Sequence, residues 1–303
     1  MNVLAKTPSE VRSPASTPKI TRLSAHIGAE VTGIDLREPV DEATRRRLND
    51  ALVEHIVMVI RDQDFTPAQF LAAASLFGEA ETDTAQNRVV PELPVFQLSS
   101  RDKDKLGVRK RTGAFWHTDA TQKVCPPNFT VLYPVELPAS GGGDTFIANM
   151  RAGYEALPED MKRRIAGMKT VNRLVGSVPA RRPEIYGGTQ DQADLQKTMT
   201  PAIHPLVRTH PVDKSKVLYF NPIKIENIVG MTPEDSHDLL DELLELAVRP
   251  EFVYQHKWRM GDMLIWDNRS SMHKAGHRKD GAVYGPNDHR TLNRITLKGG
   301  PTF

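Results

Sequence analysis

The chain lacks the features that would place it across a membrane or in an oxidising compartment. Its 303 residues contain a single cysteine, Cys125, so no disulfide can form within the chain. No apolar run reaches the length of about 18 residues that a transmembrane helix needs, so we expect none. The first 18 residues are rich in Ser, Thr and Pro and lack an apolar segment. We therefore expect residues 1–18 to form a disordered tail rather than a signal peptide, and the protein to be cytoplasmic.

An excess of charge of one sign is also missing. The 40 basic and 38 acidic residues leave a formal net charge of +2. A nearly balanced charge excludes the broad basic surface that is typical of nucleic-acid binding, and it excludes a polybasic membrane-binding segment. The expected partner is a small molecule. Association of the chain with itself, as a dimer or tetramer, is left open.

Several helices can be located from their first residues. Asp41, Thr66-Pro67 and Thr232-Pro233 each combine a capping side chain with a helical apolar pattern, and a further helix starts near Pro158. Their leucine and alanine stripes indicate faces that pack on a core.

Strand patterns dominate the rest of the chain, mostly after residue 110. The apolar run at 56–60 suits a buried strand, and residues 252–258, 263–266 and 290–297 alternate or are apolar throughout. This order predicts a mainly β fold with flanking helices, formed by residues 19–303 as one domain. Residues 176–200 show little periodicity, and a loop of that length predicts a lid over a functional site or, as the alternative, a disordered segment.

Two polar segments could share one metal ion. In the first, Phe115-Trp116-His117-Thr118-Asp119, a strand conformation would direct His117 and Asp119 to the same side. In the second, His273 follows a strand and a polar turn. Two histidines and one carboxylate form the facial triad of non-haem Fe(II) oxygenases, which leaves positions on the metal for a 2-oxo acid and dioxygen. An H-x-D pair alone is weak support, because such pairs also form ordinary hydrogen bonds.

A pair of arginines on the last strand strengthens this interpretation. By the two-residue period of a strand, Arg290 and Arg294 share a face. One possibility is an exposed edge strand with solvated arginines. If both face inward, each needs an anionic partner, and a guanidinium fork suits a carboxylate such as that of 2-oxoglutarate.

Four motifs together resemble the taurine/2,4-dichlorophenoxyacetate dioxygenase family of Fe(II)/2-oxoglutarate enzymes. They are W-H-T-D at 116–119, G-G-D-T at 142–145, W-D-N-R at 266–269 followed by His273, and R-x-x-x-R at 290–294. The resemblance implies a distorted double-stranded β-helix, or jelly roll. It implies His117, Asp119 and His273 as Fe(II) ligands, with Thr145 and Arg290 on the C5 carboxylate of 2-oxoglutarate.

The same resemblance implies a reaction. An enzyme of this family uses O2 and 2-oxoglutarate to hydroxylate a C–H bond, and it releases succinate and CO2. Its substrate would be a small anionic organic molecule: a sulfonate, a sulfate ester, an aryloxyalkanoate or a similar carboxylate.

Arg294 is the first candidate for holding the substrate's anion, and a structural ion pair is the alternative. Asp83, Arg111 and Lys224 are further candidates, because all three lie where this chain departs from the taurine-specific pattern. Those departures argue against taurine itself. The added cations could instead belong to a solvated loop.

Two other functions use the same three ligands. One is a Zn-dependent hydrolase, since zinc also takes histidine and carboxylate ligands. The other is a non-catalytic β-barrel binding module that kept the ligands by descent. Fe(II)-dependent release of succinate distinguishes the dioxygenase from both.

Overall fold

β-Strands form most of the regular structure. The structure is a computed structural model, which describes residues 17–82, 89–102, 113–174, 194, 197–276 and 288–303. The strands are β1 (Lys19–Arg22), β2 (Ala29–Thr32), β3 (Val57–Ile60), β4 (Phe96–Ser99), β5 (Phe129–Glu136), β6 (Thr145–Asn149), β7 (Lys169–Asn172), β8 (Ala202–Pro205), β9 (Val207–Thr209), β10 (Lys216–Leu218), β11 (Ile225–Ile228), β12 (Val253–His256), β13 (Met263–Asp267), β14 (Ser271–Ala275) and β15 (Thr291–Leu297). The helices are α1 (Glu42–His55), α2 (Pro67–Ala74), α3 (Met150–Glu155), α4 (Glu159–Ile165) and α5 (Pro233–Ala247), with a 3-10 turn at Pro250–Phe252. Within the described ranges, no helix is long and apolar enough to span a membrane.

The helix starts predicted from capping residues are confirmed. The side chain of Asp41 accepts a hydrogen bond from a backbone N–H in the first turn of α1, and Thr232 does the same for α5. Thr66 forms a full capping box with Gln69 at the start of α2. Each cap satisfies an N–H group that has no partner inside its helix. The short helix α3 was not predicted, because six residues are too few to show a helical period.

Two antiparallel sheets face each other. The larger has the strand order β1-β2-β3-β13-β5-β15-β4, and only its β2–β3 pair is parallel. The smaller has the order β12-β6-β14. Further small sheets have the strand orders β11-β7-β8 and β10-β9. The architecture is a jelly roll, as the sequence predicted.

Alternation along the strands of the larger sheet separates two cores. Met263 and Ile265 of β13 face outward, against the apolar sides of α1 and α2. Leu264 and Trp266 of the same strand face inward, into the space between the two sheets. The inward direction of any side chain on these strands therefore follows from the two-residue period. A third apolar cluster packs α5 against the far side of the smaller sheet.

One local expectation was wrong. The W-H-T-D segment is not a strand: His117 forms a single isolated bridge with His273, and Asp119 lies in a turn before Ala120, whose φ is +50°. Other expectations fall largely outside the described residues. Of the proposed tail only residues 17–18 are described, and of the proposed lid only residue 194 and residues 197–200.

Candidate metal centre

Three metal-binding side chains converge inside the jelly roll. One ligand atom from each of His117, Asp119 and His273 lies within 4.8 Å of the others. We call these three residues the metal cluster. The backbones of His117 and His273 exchange two hydrogen bonds, of 3.0 and 2.8 Å. This bridge joins the first motif to β14 and places two ligands side by side, although they are far apart in sequence.

Each histidine can offer a lone pair. The His117 ring lies 2.7 Å, through Nδ1, from the carbonyl oxygen of Phe115. A carbonyl can only accept, so Nδ1 carries the proton and Nε2 keeps its lone pair, as is usual for metal-binding histidines. The Nε2 atom of His273 lies 3.8 Å from Asp119 Oδ1. His273 Nδ1 is buried and has no hydrogen-bond partner among the described residues.

The metal cluster is in the protonation state that metal binding requires. Burial lowers the pKa of His117, and burial together with the nearby His117 lowers the pKa of His273 to about 3. Both rings are therefore neutral near pH 7. Burial alone would raise the pKa of Asp119, but the charge of Arg294, helped by the hydrogen bond from Thr130, holds it well below its usual range. Two neutral imidazoles and one carboxylate fit a divalent cation.

The Asp119 carboxylate is held through one oxygen. Its Oδ2 atom accepts a hydrogen bond of 2.6 Å from the Thr130 hydroxyl and pairs at 2.8 Å with Arg294 Nη2. Its Oδ1 atom is the one that faces His273. Oδ1 is thus the oxygen available to a metal.

A second polar group lies on the neighbouring strands. The hydroxyl oxygen of Thr145 accepts hydrogen bonds of 3.1 Å from both Arg290 Nη2 and Trp258 Nε1. Because both partners are donors, the Thr145 proton points elsewhere and can be donated to a bound anion. Thr145 is buried and lies two residues along β6 from Ile147, which is paired with His273. A cation and a hydroxyl donor this close together suit a carboxylate.

These contacts show that both arginines face inward, so the alternative of an exposed edge strand with solvated arginines is wrong. Arg294 pairs with Asp119, which is the ion pair that the sequence left open as an alternative to substrate binding.

Lys224 lies beside the first motif, in a loop that Asn221 fastens to the Thr118 carbonyl oxygen with a bond of 2.7 Å. The Lys224 ammonium donates to the Leu174 carbonyl oxygen, and no carboxylate of the described residues pairs with it. Burial lowers its pKa, and its charge lowers the pKa of His117. Asp83 and Arg111, the other two substrate candidates, lie outside the described residues.

Side chains of the W-D-N-R motif hold the turn before His273. Asp267 binds the Arg269 side chain through both carboxylate oxygens and also contacts His210 Nε2 at 3.2 Å. Asn268 is tied to Thr130. The Trp266 ring packs against His273, with ring centroids 4.5 Å apart, so it forms one wall of this site.

Sequence reasoning did not single out Thr130 or Trp258. Neither belongs to a recognisable motif: Thr130 reaches the site through the strand pairing of β5, and Trp258 lies two residues beyond the end of β12. Alternation along 252–258 did place Trp258 on the same side as His256, but it gave no reason to connect Trp258 with Thr145.

A jelly roll that carries two histidines and a carboxylate at one point is the arrangement of non-haem oxygenases. Residues 19–296 match the family described as "Taurine catabolism dioxygenase TauD, TfdA family". The chain belongs to this family, and it is a metal- and 2-oxoglutarate-dependent dioxygenase.

Individual proteins are similar along nearly the whole chain. An alkylsulfatase of Acinetobacter baylyi is 31% identical over 95% of this chain and 87% of its own length. An alpha-ketoglutarate-dependent 2,4-dichlorophenoxyacetate dioxygenase of Cupriavidus pinatubonensis is 31% identical over 88% of this chain and 93% of its own. Among solved structures, AAD-2 in complex with Mn(II) and N-oxalylglycine is 30% identical, with a TM-score of 0.78, over 95% of this chain and 100% of its own.

Proposed function

We propose that this protein is an Fe(II)-dependent hydroxylase of a small anionic organic substrate, with succinate and CO2 as co-products. The observation that carries the proposal is the metal cluster, whose two histidines and one carboxylate converge within 4.8 Å. When bound there, Fe(II) with 2-oxoglutarate and O2 supplies the oxidant that cleaves the substrate's C–H bond. The protein holds the reactants in place and keeps bulk water away.

Arg290 and Thr145 bind the C5 carboxylate of 2-oxoglutarate. The guanidinium supplies charge and a planar donor pair, and the Thr145 hydroxyl supplies one further donor. Trp258 orients that hydroxyl, because its indole N–H donates to the same oxygen at 3.1 Å. The strand pairing of β6 with β14 sets the separation between this group and His273.

The substrate's anionic group is bound by cations that lie beside the metal cluster. Two cations are available there, Arg294 through the donors that Asp119 does not use, and Lys224. A partly buried ammonium that donates to a carbonyl oxygen, with no carboxylate beside it among the described residues, is stabilised when an anion arrives. Asp83 and Arg111 complete the proposed substrate residues. Sulfonates, sulfate esters, aryloxyalkanoates and similar carboxylates all present such an anion.

A substrate screen tests this proposal. Fe(II)-loaded protein is given 2-oxoglutarate and O2 with each member of a panel of sulfonates, sulfate esters and aryloxyalkanoates. Oxygen uptake, succinate and oxidised product are measured together. A neutral alcohol or amide of the same carbon skeleton serves as the matched control for each anion. We expect an anion, and not its neutral counterpart, to stimulate succinate formation in step with product.

The Zn-dependent hydrolase and the non-catalytic module remain as outcomes of the same screen. Hydrolysis of a sulfate ester with Zn(II) and without O2 would replace the proposal by the hydrolase. Failure of every anion to stimulate Fe(II)-dependent succinate formation would contradict the proposed substrate class.

A further inference from the structure

A chain of hydrogen bonds runs from the wall of the site to the Asp119 carboxylate. The Trp266 indole N–H donates to Asn268 Oδ1 at 3.0 Å, and Asn268 Nδ2 donates to Thr130 Oγ1 at 2.9 Å. The Thr130 hydroxyl then donates to Asp119 Oδ2 at 2.6 Å. We call the three donors, Trp266, Asn268 and Thr130, the relay. All three are at most 1% exposed, so water does not compete with these bonds.

Every bond of the relay can run in one direction only. An indole N–H can only donate, so it fixes the Asn268 amide with its oxygen toward Trp266 and its NH2 group toward Thr130. The Asn268 NH2 group can only donate as well, which makes the Thr130 oxygen an acceptor. The single Thr130 proton therefore remains for Asp119.

The relay and Arg294 act on the same carboxylate oxygen. Thr130 and Arg294 both approach Oδ2, while Oδ1 faces His273 at 3.8 Å. When Oδ2 of a carboxylate already accepts two strong hydrogen bonds, the other oxygen, Oδ1, is the one available to a metal. The far end of the relay contacts the second ligand, because the Trp266 ring packs on His273 at 4.5 Å. The relay thus contacts two members of the metal cluster, Asp119 and His273.

We infer that Thr130 and Asn268 are positioning residues that hold Asp119 for binding a metal through Oδ1 alone, and that they raise the affinity of the site for the ion. The inference rests on the proposed metal site. Neither residue contacts a reacting atom, so both act through Asp119.

A purely structural role is the competing explanation, and the chain offers a matched control for it. Thr170 on β7 is also fully buried, and its hydroxyl also accepts from an asparagine, Asn172, at 2.9 Å. Thr170 donates to the backbone carbonyl of His204 instead of a metal-binding carboxylate. Thr170→Val therefore removes the same group from the same kind of environment.

The test is a metal titration of the full chain after the bound ion has been removed. Co(II) affinity is measured by competition with a chromogenic chelator, without 2-oxoglutarate and O2. The visible spectrum of the Co(II) protein reports the ligand geometry. We expect Thr130→Val to bind Co(II) about 10- to 100-fold more weakly than the unaltered protein and to change the spectrum, as the loss of other outer-shell partners does. Thr170→Val should bind as the unaltered protein does.

A second pair of variants covers the case in which Thr130→Val does not fold. Thr130→Ser and Thr130→Ala lose the same methyl group and differ only in the hydroxyl. Thr130→Ser should keep the affinity and the spectrum, and Thr130→Ala should lose both.

The results test the proposed metal site and the positioning role of the relay separately. If the unaltered protein bound no Co(II), or bound it equally well as Asp119→Ala, the proposed metal site would be wrong. If the unaltered protein binds Co(II) and the Thr130 variants weaken binding no more than Thr170→Val does, the site stands and the relay is only structural.

Discussion

Replacing Arg290 by alanine should weaken the binding of 2-oxoglutarate while leaving the metal site whole. Arg290 is the cation of the group formed with Thr145 and Trp258, and its Nη2 atom lies 3.1 Å from Thr145 Oγ1. The metal ligands themselves come from other residues. Removing the guanidinium would leave the C5 carboxylate in a largely buried place without its cation. Breaking such a pair costs about 3–5 kcal/mol, which corresponds to roughly two to four powers of ten in Kd.

The measurement is an anaerobic titration of the Fe(II) protein with 2-oxoglutarate, followed through the charge-transfer band of the complex. Arg290→Lys keeps the charge but loses the planar fork, so an intermediate Kd is expected. Arg101→Ala is the matched control. Arg101 follows Ser100, which is hydrogen-bonded to the Arg290 backbone, but its own side chain is exposed and pairs with Glu136 at the surface.

An unchanged Kd in Arg290→Ala would refute the assignment of this residue. An equal loss of 2-oxoglutarate affinity in Arg101→Ala would also refute the assignment. It would show that the affinity depends on the structure at the end of the strand and not on the guanidinium that contacts the carboxylate. Co(II) binding by both variants should match that of the unaltered protein, which checks that the metal cluster is intact.

The remaining predictions concern the metal, the co-substrate hydroxyl, the substrate and stability. Changing any member of the metal cluster to alanine should abolish stoichiometric Co(II) binding and turnover, and a variant that retains both is not altered in a ligand. Thr145→Val should weaken 2-oxoglutarate binding by about 1.5–3 kcal/mol in the same titration, since one hydrogen bond to a charged group is lost. Arg294→Ala should raise the KM for the primary substrate more than it raises the KM for 2-oxoglutarate. Equal rises would contradict the proposal that Arg294 binds the substrate and Arg290 binds 2-oxoglutarate. Asp267→Asn should lower the free energy of unfolding by about 3–5 kcal/mol near pH 7 in urea titrations. Burial opposes ionisation of Asp267, but Arg269 and His210 hold its pKa well below its usual range, so its contribution is present above the unfolded pKa of about 3.9 and is lost as the pH falls further. In Asp267→Asn, the free energy of unfolding should not show this decrease as the pH falls.

The features that the sequence predicted are those that depend on neighbours along the chain. Helix starts followed from a capping side chain and the next few residues. The shared face of Arg290 and Arg294 followed from the two-residue period along β15, which a seven-residue strand maintains. The same period was misapplied to the W-H-T-D segment, because a single bridge and a turn at Asp119 do not extend a strand.

The partners of Asp119 could not be predicted, because they depend on register. β15 pairs with β5 such that Arg294 lies opposite Leu132 and Thr296 lies opposite Thr130. That pairing brings the Arg294 and Thr130 side chains to the same inner surface. A shift of one residue would turn either side chain to the outer core. The residues around positions 130 and 294 do not determine the register between β5 and β15, because these strands are far apart in sequence.

The position of Arg294 is compatible with the two roles proposed for it, one toward Asp119 and one toward the substrate. Its Nη2 atom is committed to Asp119 Oδ2, the oxygen that does not face His273. A guanidinium has five N–H donors in a fixed plane, so the Asp119 pair leaves others for an incoming anion. An anion bound there would compete with Asp119 for the charge of Arg294 but would leave the Thr130 hydrogen bond in place. If Arg294 takes up the substrate as proposed, the Thr130 hydrogen bond to Oδ2 would keep Oδ1 directed at a bound metal.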